Sequence, residues 1–183
     1  KGSHADLTDD YTVIPAQMRQ VAAQFGQTEL RGVSEEAFYA AIPQLRRSCS
    51  DRAILRAMHF FAENRRAGAQ AQALESGDMA QFLTLVQESG ASSAELLQNL
   101  YSASKPTAQE IPLAIAVSKR LLAGAGAVRV HGGGFAGTIQ AFVPLAQLEQ
   151  SAASLLDAVH EGVYPRAKTN LDEHTLEAQS VEE

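Results

Sequence analysis

Four glycines fall within six residues at Gly132, Gly133, Gly134 and Gly137, inside the run A-V-R-V-H-G-G-G-F-A-G-T-I-Q-A-F-V from Ala127 to Val143. Glycine permits positive φ and lets the backbone come close to another group. The N–H groups of such a loop can therefore face a partner rather than a side chain of their own. Gly132-x-Gly134-x-x-Gly137 matches G-x-G-x-x-G in form, but the known phosphate-binding uses of that spacing do not fit. A dinucleotide site needs a helix straight after the glycines, to meet the pyrophosphate with its N-terminus. Here Thr138–Val143 alternates as a strand and ends at Pro144. A Walker loop needs Gly-Lys-Ser/Thr, which is missing, and no H-R-D or D-F-G follows as in a protein kinase. Spacing alone leaves two readings open, a ligand loop and a plain tight turn.

Other groups with chemical potential are sparse. His4, Asp6, Asp9 and Asp10 crowd the start of the chain, where a solvated loop competes with a metal site that has no confirming ligand frame. His59 lies in a helical pattern with no nucleophile motif beside it, so a helix residue with a local partner is favoured over a general base. Cys49 is the single cysteine, which excludes an intrachain disulfide and a cysteine zinc site.

The elements that must position the glycines are mostly helices. Val128 and Val130 alternate with Arg129 and His131, and Ile139, Ala141 and Val143 alternate with Thr138, Gln140 and Phe142, predicting two strands joined as a hairpin. A helix after Tyr11 carries Ile14, Met18, Val21, Ala22 and Phe25, with Pro15 in its first turn and Gly26 as its stop. Ser34 starts a shorter one through Ile42, ended by Pro43. Ser50 and Asp51 open the longest, to about Leu74, with an apolar face of Ile54, Leu55, Met58, Phe61 and Ala62 and with Arg and Gln on the remainder. Gly77-Asp78 stops it and caps a helix that runs to Ser89-Gly90. Ser92 and Ser93 are placed to cap a segment with Leu96, Leu97 and Leu100, and Tyr101–Thr107 reads as a loop. Glu110–Leu122 precedes the hairpin, and an amphipathic helix from Leu145 to Val159 follows it, ended by Gly162. The acidic run Asn170–Glu183 reads as a solvated extension, disordered or helical.

Composition sets the class. The chain has 183 residues, 45% of them hydrophobic and 20% charged, which suits one globular domain with a sizeable core. With a net charge of −6 and scattered basic residues, the electrostatic footprint of a nucleic-acid binder is missing. No run of eighteen apolar residues occurs, so no membrane partner is expected. One thiol accords with a reducing cytoplasm, the expected compartment. Lys1 is not an initiator methionine and G-S-H can be a cloning scar, so the chain reads as a piece of something longer.

The motif R-V-H-G-G-G-F-A-G-T resembles the third conserved motif of the GHMP small-molecule kinases, in the G-G-G-F-G-G form of galactokinases, with Ala136 where a glycine is usual. H-A-D-L-T-D-D-Y running into I-P-A-Q-M resembles the middle of bacterial galactokinases, and R-A-M-H-F-F-A-E-N-R-R resembles their R-A-x-H-x-x-x-E-N helix. E-S-G-A-S-S resembles the family's N-E-S-H-x-S-L stretch. The resemblance spans about Gly2–Glu161 and would make G-S-H native sequence. It implies an α+β, ferredoxin-like GHMP kinase C-terminal domain, helix-rich with a small antiparallel sheet. Residues 1–25 would be the end of the N-terminal region and a connecting helix, 26–165 the C-terminal domain, and 166–183 the acidic tail. Tyr11 would border the sugar pocket, and Gly132, Gly133, Gly134, Phe135 and Gly137 would form a substrate- or phosphate-proximal loop. The family's sugar-binding G-R-T-x-L-x-x-E-H-T-D-Y segment, its G-L-S-S-S-A phosphate loop and its catalytic aspartate have no counterpart here. The implied whole protein transfers the γ-phosphate of ATP to galactose with Mg²⁺, together with a missing N-terminal GHMP domain. The fragment alone would bind no cofactor and be inactive. Galactokinase-like proteins that lose activity offer an alternative, a non-catalytic sugar-sensing or regulatory module. A helical scaffold with an incidental glycine turn is a third.

Overall fold

The structure, a computed structural model, describes residues 7–135, 138–147, 171–172 and 175–176. It is a helix-rich α+β fold. Helix α1 (Thr8–Ala23) is followed by a 3₁₀ turn at Leu30–Gly32, then α2 (Glu35–Ala40), α3 (Ile42–Ser48), the long α4 (Asp51–Glu75) and α5 (Met79–Ser92). A π-helical turn, Ser93–Leu97, continues directly from α5, and α6 (Glu110–Leu122) leads into strands β1 (Ala127–His131) and β2 (Thr138–Phe142).

Several starts are set by side chains that take an orphan N–H of the first turn. Ser34 accepts from the Ala37 N–H, Ser50 from Ala53 and Asp78 from Gln81. Other boundaries depart from the sequence pattern. α1 begins at Thr8, ahead of Tyr11, with Asp9 and Asp10 in its first turn, where their charge favours the helix N-terminus. Pro15 is thus an interior residue of α1, with no N–H to give the preceding turn. Pro43 opens α3 at its first turn rather than ending a helix. α5 passes through Gly90 to Ser92 because Gly90 faces β1: a Cβ there would lie 3.2 Å from Arg129 Cβ and 3.3 Å from the Val128 carbonyl oxygen. The segment with Leu96 and Leu97 is a π turn that ends at Gln98 in the left-handed region, not a capped α-helix.

The main core lies between α1 and α4, closed by α2, α3 and the 3₁₀ turn. Val21, Leu30, Phe38, Leu45, Ala53 and Phe61 are buried in one cluster, which also takes in Cys49. Phe38 stacks on Phe61 with ring centroids 5.0 Å apart. α5 covers the other side of α4 and packs on β1.

β1 and β2 pair antiparallel, with Ala127 opposite Phe142 and His131 opposite Thr138. The hairpin is the one predicted. Val128 and Val130 are buried, but on β2 the packed ring is Phe142, which meets Phe82 of α5 at 5.2 Å, while Ala141 is exposed. Of the ferredoxin-like sheet that the resemblance implies, β1 and β2 are the part among the described residues. Leu171–Asp172 and Thr175–Leu176 form a separate two-rung antiparallel ladder, in a tail whose composition points to a disordered or helical segment. After Pro144 a 3₁₀ turn occupies Leu145–Gln147, and the predicted helix beyond it lies outside the described residues.

The hairpin starts where Gly126 touches its own partner strand, for a Cβ on Gly126 would collide with the Phe142 carbonyl oxygen. That atom is backbone and cannot rotate away. Gly126→Ala should therefore lower the unfolding free energy by ~1–3 kcal/mol, the usual effect of overpacking. Urea denaturation checks it, and an unchanged midpoint would show that the strand start shifts freely.

Candidate functional site

The hairpin loop is gripped from two sides. From α1, the Tyr11 hydroxyl donates to the Gly134 carbonyl at 2.8 Å, across 123 residues of sequence. Its ring meets Phe135 edge-on, with centroids 5.1 Å apart and planes at 89°. A Cβ on Gly133 would lie 2.7 Å from Tyr11 Cε1, so the ring occupies the space that a side chain at 133 would need.

From the opposite quarter comes Asn99, two residues past the π turn and 2% exposed. Its backbone carbonyl accepts from the Phe135 N–H at 2.6 Å, and its Nδ2 donates to the Gly133 carbonyl at 3.2 Å. A Cβ on Gly134 would run into the Asn99 carbonyl oxygen and lie 2.9 Å from Asn99 Cγ. Gly132, Gly134 and Phe135 all have positive φ, at 63°, 81° and 58°. Glycine takes that conformation without strain, whereas Phe135 holds it through the hydrogen bond its N–H donates to the Asn99 carbonyl and through the packing of Tyr11. Gly132 and Gly133 are exposed, while Gly134 and Phe135 are buried. The loop thus shows one edge to solvent and is pinned along the other.

Behind both grips stands Arg56 of α4, wholly buried. Its Nε donates to the Leu97 carbonyl at 3.0 Å and its Nη1 to Gln17 Oε1 of α1 at 2.8 Å. Burial lowers its pKa to about 10, helped by the charge of Arg52 and opposed by Asp10, so it stays protonated at neutral pH. Arg56 ties the helix that bears Tyr11 to the turn that delivers Asn99.

A second polar layer runs between α4 and α5, away from the loop. His59 Nδ1 lies 2.8 Å from Ser92 Oγ, and Ser89 Oγ donates to Glu63 Oε2 at 2.7 Å. Glu63 also pairs with Arg66. Burial drives the His59 pKa down to about 4, against the Ser92 hydrogen bond and with the help of Arg66 and Arg129. His59 is therefore neutral at pH 7, a helix residue with a local partner.

Of the residues singled out in the sequence, Tyr11, Gly132, Gly133, Gly134 and Phe135 come together, and Gly137 lies outside the described residues. His4 and Asp6 also lie outside them, and among the described residues no three His, Cys, Asp or Glu side chains converge to hold a metal. Sequence reasoning missed Asn99 and placed Arg56 on the solvated side of its helix. Asn99 sits between Leu residues with no motif of its own. For Arg56 the signal available was its place at the head of R-A-M-H-F-F-A-E-N.

No protein-family model matches the chain. The fold is similar to that of Lactococcus lactis galactokinase solved in complex with galactose, with a TM-score of 0.64 at 19% sequence identity. The match covers 88% of this chain and 39% of that one, so the chain spans well under half the length of that galactokinase. At this identity the likeness establishes the fold, a galactokinase-like α+β domain. Among the described residues no helix is long and apolar enough to cross a membrane.

The buried imidazole has a consequence for stability. Its folded pKa of about 4 lies below the ordinary 6.5, so between those values the unfolded chain holds a proton that the folded chain refuses. Its contribution is complete above about pH 6.5 and is lost as pH falls toward 4. Urea unfolding at a series of pH values should show the dependence flattened in His59→Gln across that window, by up to about 1.4 kcal/mol per pH unit. Parallel profiles for variant and parent would count against the assignment.

Proposed function

We propose that this chain is the C-terminal part of a galactokinase-type sugar kinase. The whole protein would transfer the γ-phosphate of ATP to galactose, giving galactose 1-phosphate. The observation that carries this reading is the hydrogen bond from Tyr11 to Gly134, which joins the two segments whose residues resemble the family's sugar-bordering tyrosine and its glycine motif. A tight turn with no ligand has no need of a tyrosine from a distant helix packed on it. The exposed edge at Gly132–Gly133 leaves room for a small molecule to meet the backbone directly.

In this reading the chain supplies one wall of the sugar pocket. The Tyr11 hydroxyl donates to the Gly134 carbonyl, which places a phenol, a group able both to donate and to accept, at the edge of the loop. Phosphoryl transfer further needs a held triphosphate, Mg²⁺ and an oriented nucleophile. The described residues bring together no such set of acidic donors, and the preceding GHMP half of the protein would provide it along with the catalytic aspartate. A cytoplasmic setting, with its ATP, suits the reaction.

Coupled assay of ADP release tests the proposal. The full-length protein should turn over galactose with ATP and Mg²⁺, and this chain alone should give no rate above a no-sugar blank. A full-length protein that binds galactose without releasing ADP would instead support the sugar-sensing module.

Tyr11 is open to a sharper test in the full-length protein. Loss of one neutral hydrogen bond costs about 0.5–1.5 kcal/mol. Tyr11→Phe should raise the KM for galactose several-fold and leave the KM for ATP nearly unchanged. An unaltered galactose KM would remove Tyr11 from the pocket.

A further inference from the structure

We propose that Asn99 is a positioning residue of this site, holding the glycine loop in the conformation that substrate meets; the claim rests on the sugar-kinase reading above. Its amide donates to the Gly133 carbonyl, its own carbonyl takes the Phe135 N–H, and its atoms fill the space beside Gly134. Through these contacts the peptide groups on either side of Gly134 have their orientation set. Tyr11 grips the Gly134 carbonyl from α1, so the loop is fixed only while both residues are in place.

The way Asn99 is delivered adds a second line. The π turn Ser93–Leu97 ends at Gln98 with φ 58° and ψ 54°, and Arg56 clasps its last carbonyl. Short π segments inside or beside helices are frequent at functional sites, because they re-aim a side chain that regular geometry would point elsewhere. Here the residue so aimed is Asn99.

The third line is a cost. Asn99 Oδ1 is buried and has no hydrogen-bond partner among the described residues. An unpaired buried acceptor destabilises a fold, and an apolar side chain of the same size would be free of that burden. An amide kept at such a position is explained by what its Nδ2 does for the loop, not by what it does for the core.

The test is Asn99→Leu, which keeps the branched side-chain shape and lacks both amide groups, made in the full-length protein. Positioning predicts a melting temperature equal to or above the parent's, with kcat/KM for galactose at least tenfold lower, mainly through KM, and KM for ATP within twofold. Combined with Tyr11→Phe, the losses should be less than multiplicative, since either change alone frees the same loop. A lower melting temperature with parental kcat/KM per folded molecule would make Asn99 a packing residue and overturn the proposal. So would parental stability with parental kinetics. A wild-type protein without any turnover would overturn the function reading, and this proposal with it. A wild type that turns over beside an unimpaired variant defeats this proposal alone.

Discussion

The arrangement depends on one buried charge. Arg56 is wholly enclosed, and a guanidinium in that position is tolerated only where its donors find acceptors of fixed geometry. Two of them do, the Gln17 amide oxygen on α1 and the Leu97 carbonyl at the end of the π turn. The planar fork imposes the angle between these acceptors. In doing so it sets the distance between the helix that carries Tyr11 and the segment that carries Asn99. Nη2 remains without a partner among the described residues, and Arg52 lies close enough to oppose the charge. An apolar residue of similar length would spare the fold these costs, but it would not hold two elements in register.

From that clasp the geometry of the hairpin loop follows. Tyr11 and Asn99 bond to successive carbonyls, of Gly134 and Gly133, so neither peptide group is free to flip. Glycine is required at 134 by positive φ and by the proximity of Asn99, and at 133 by the Tyr11 ring. Four glycines exceed what turning a hairpin demands. The surplus is accounted for at 133 and 134 by neighbours that leave no room for a Cβ.

Much of this could be read from the sequence. The hairpin showed itself in period-2 alternation around the glycines, and α4 in its 3.6 stripe behind the Ser50 cap. Boundaries went astray where a residue has two opposite local meanings. Proline ends helices and also opens them, and Pro43 does the second. Glycine stops helices and also allows close packing, and Gly90 does the latter against β1. The site was half legible. Tyr11 and the glycines stood out through resemblance, yet their contact is a tertiary fact that no window of sequence contains. Arg56 was invisible as a buried residue because an arginine on an amphipathic helix belongs by default to the wet face. Asn99 depends on a π turn, which has no residue signature of its own.

Where the fold gains stability and where it gives some up are different places. The large apolar cluster of Val21, Phe38, Leu45 and Phe61 lies among α1, α2, α3 and α4, and its polar needs are met at the helix caps. Among the described residues the buried side-chain atoms without a hydrogen-bond partner are Arg52 Nε, Arg56 Nη2, Arg66 Nε and Asn99 Oδ1, and two of these residues, Arg56 and Asn99, hold the loop. At Arg56 and Asn99 that local cost falls on side chains that fix the backbone of one exposed glycine edge. A backbone held so firmly on one side and left open on the other has its shape set by its own supports, so that the conformational cost of ordering these residues is met within the fold.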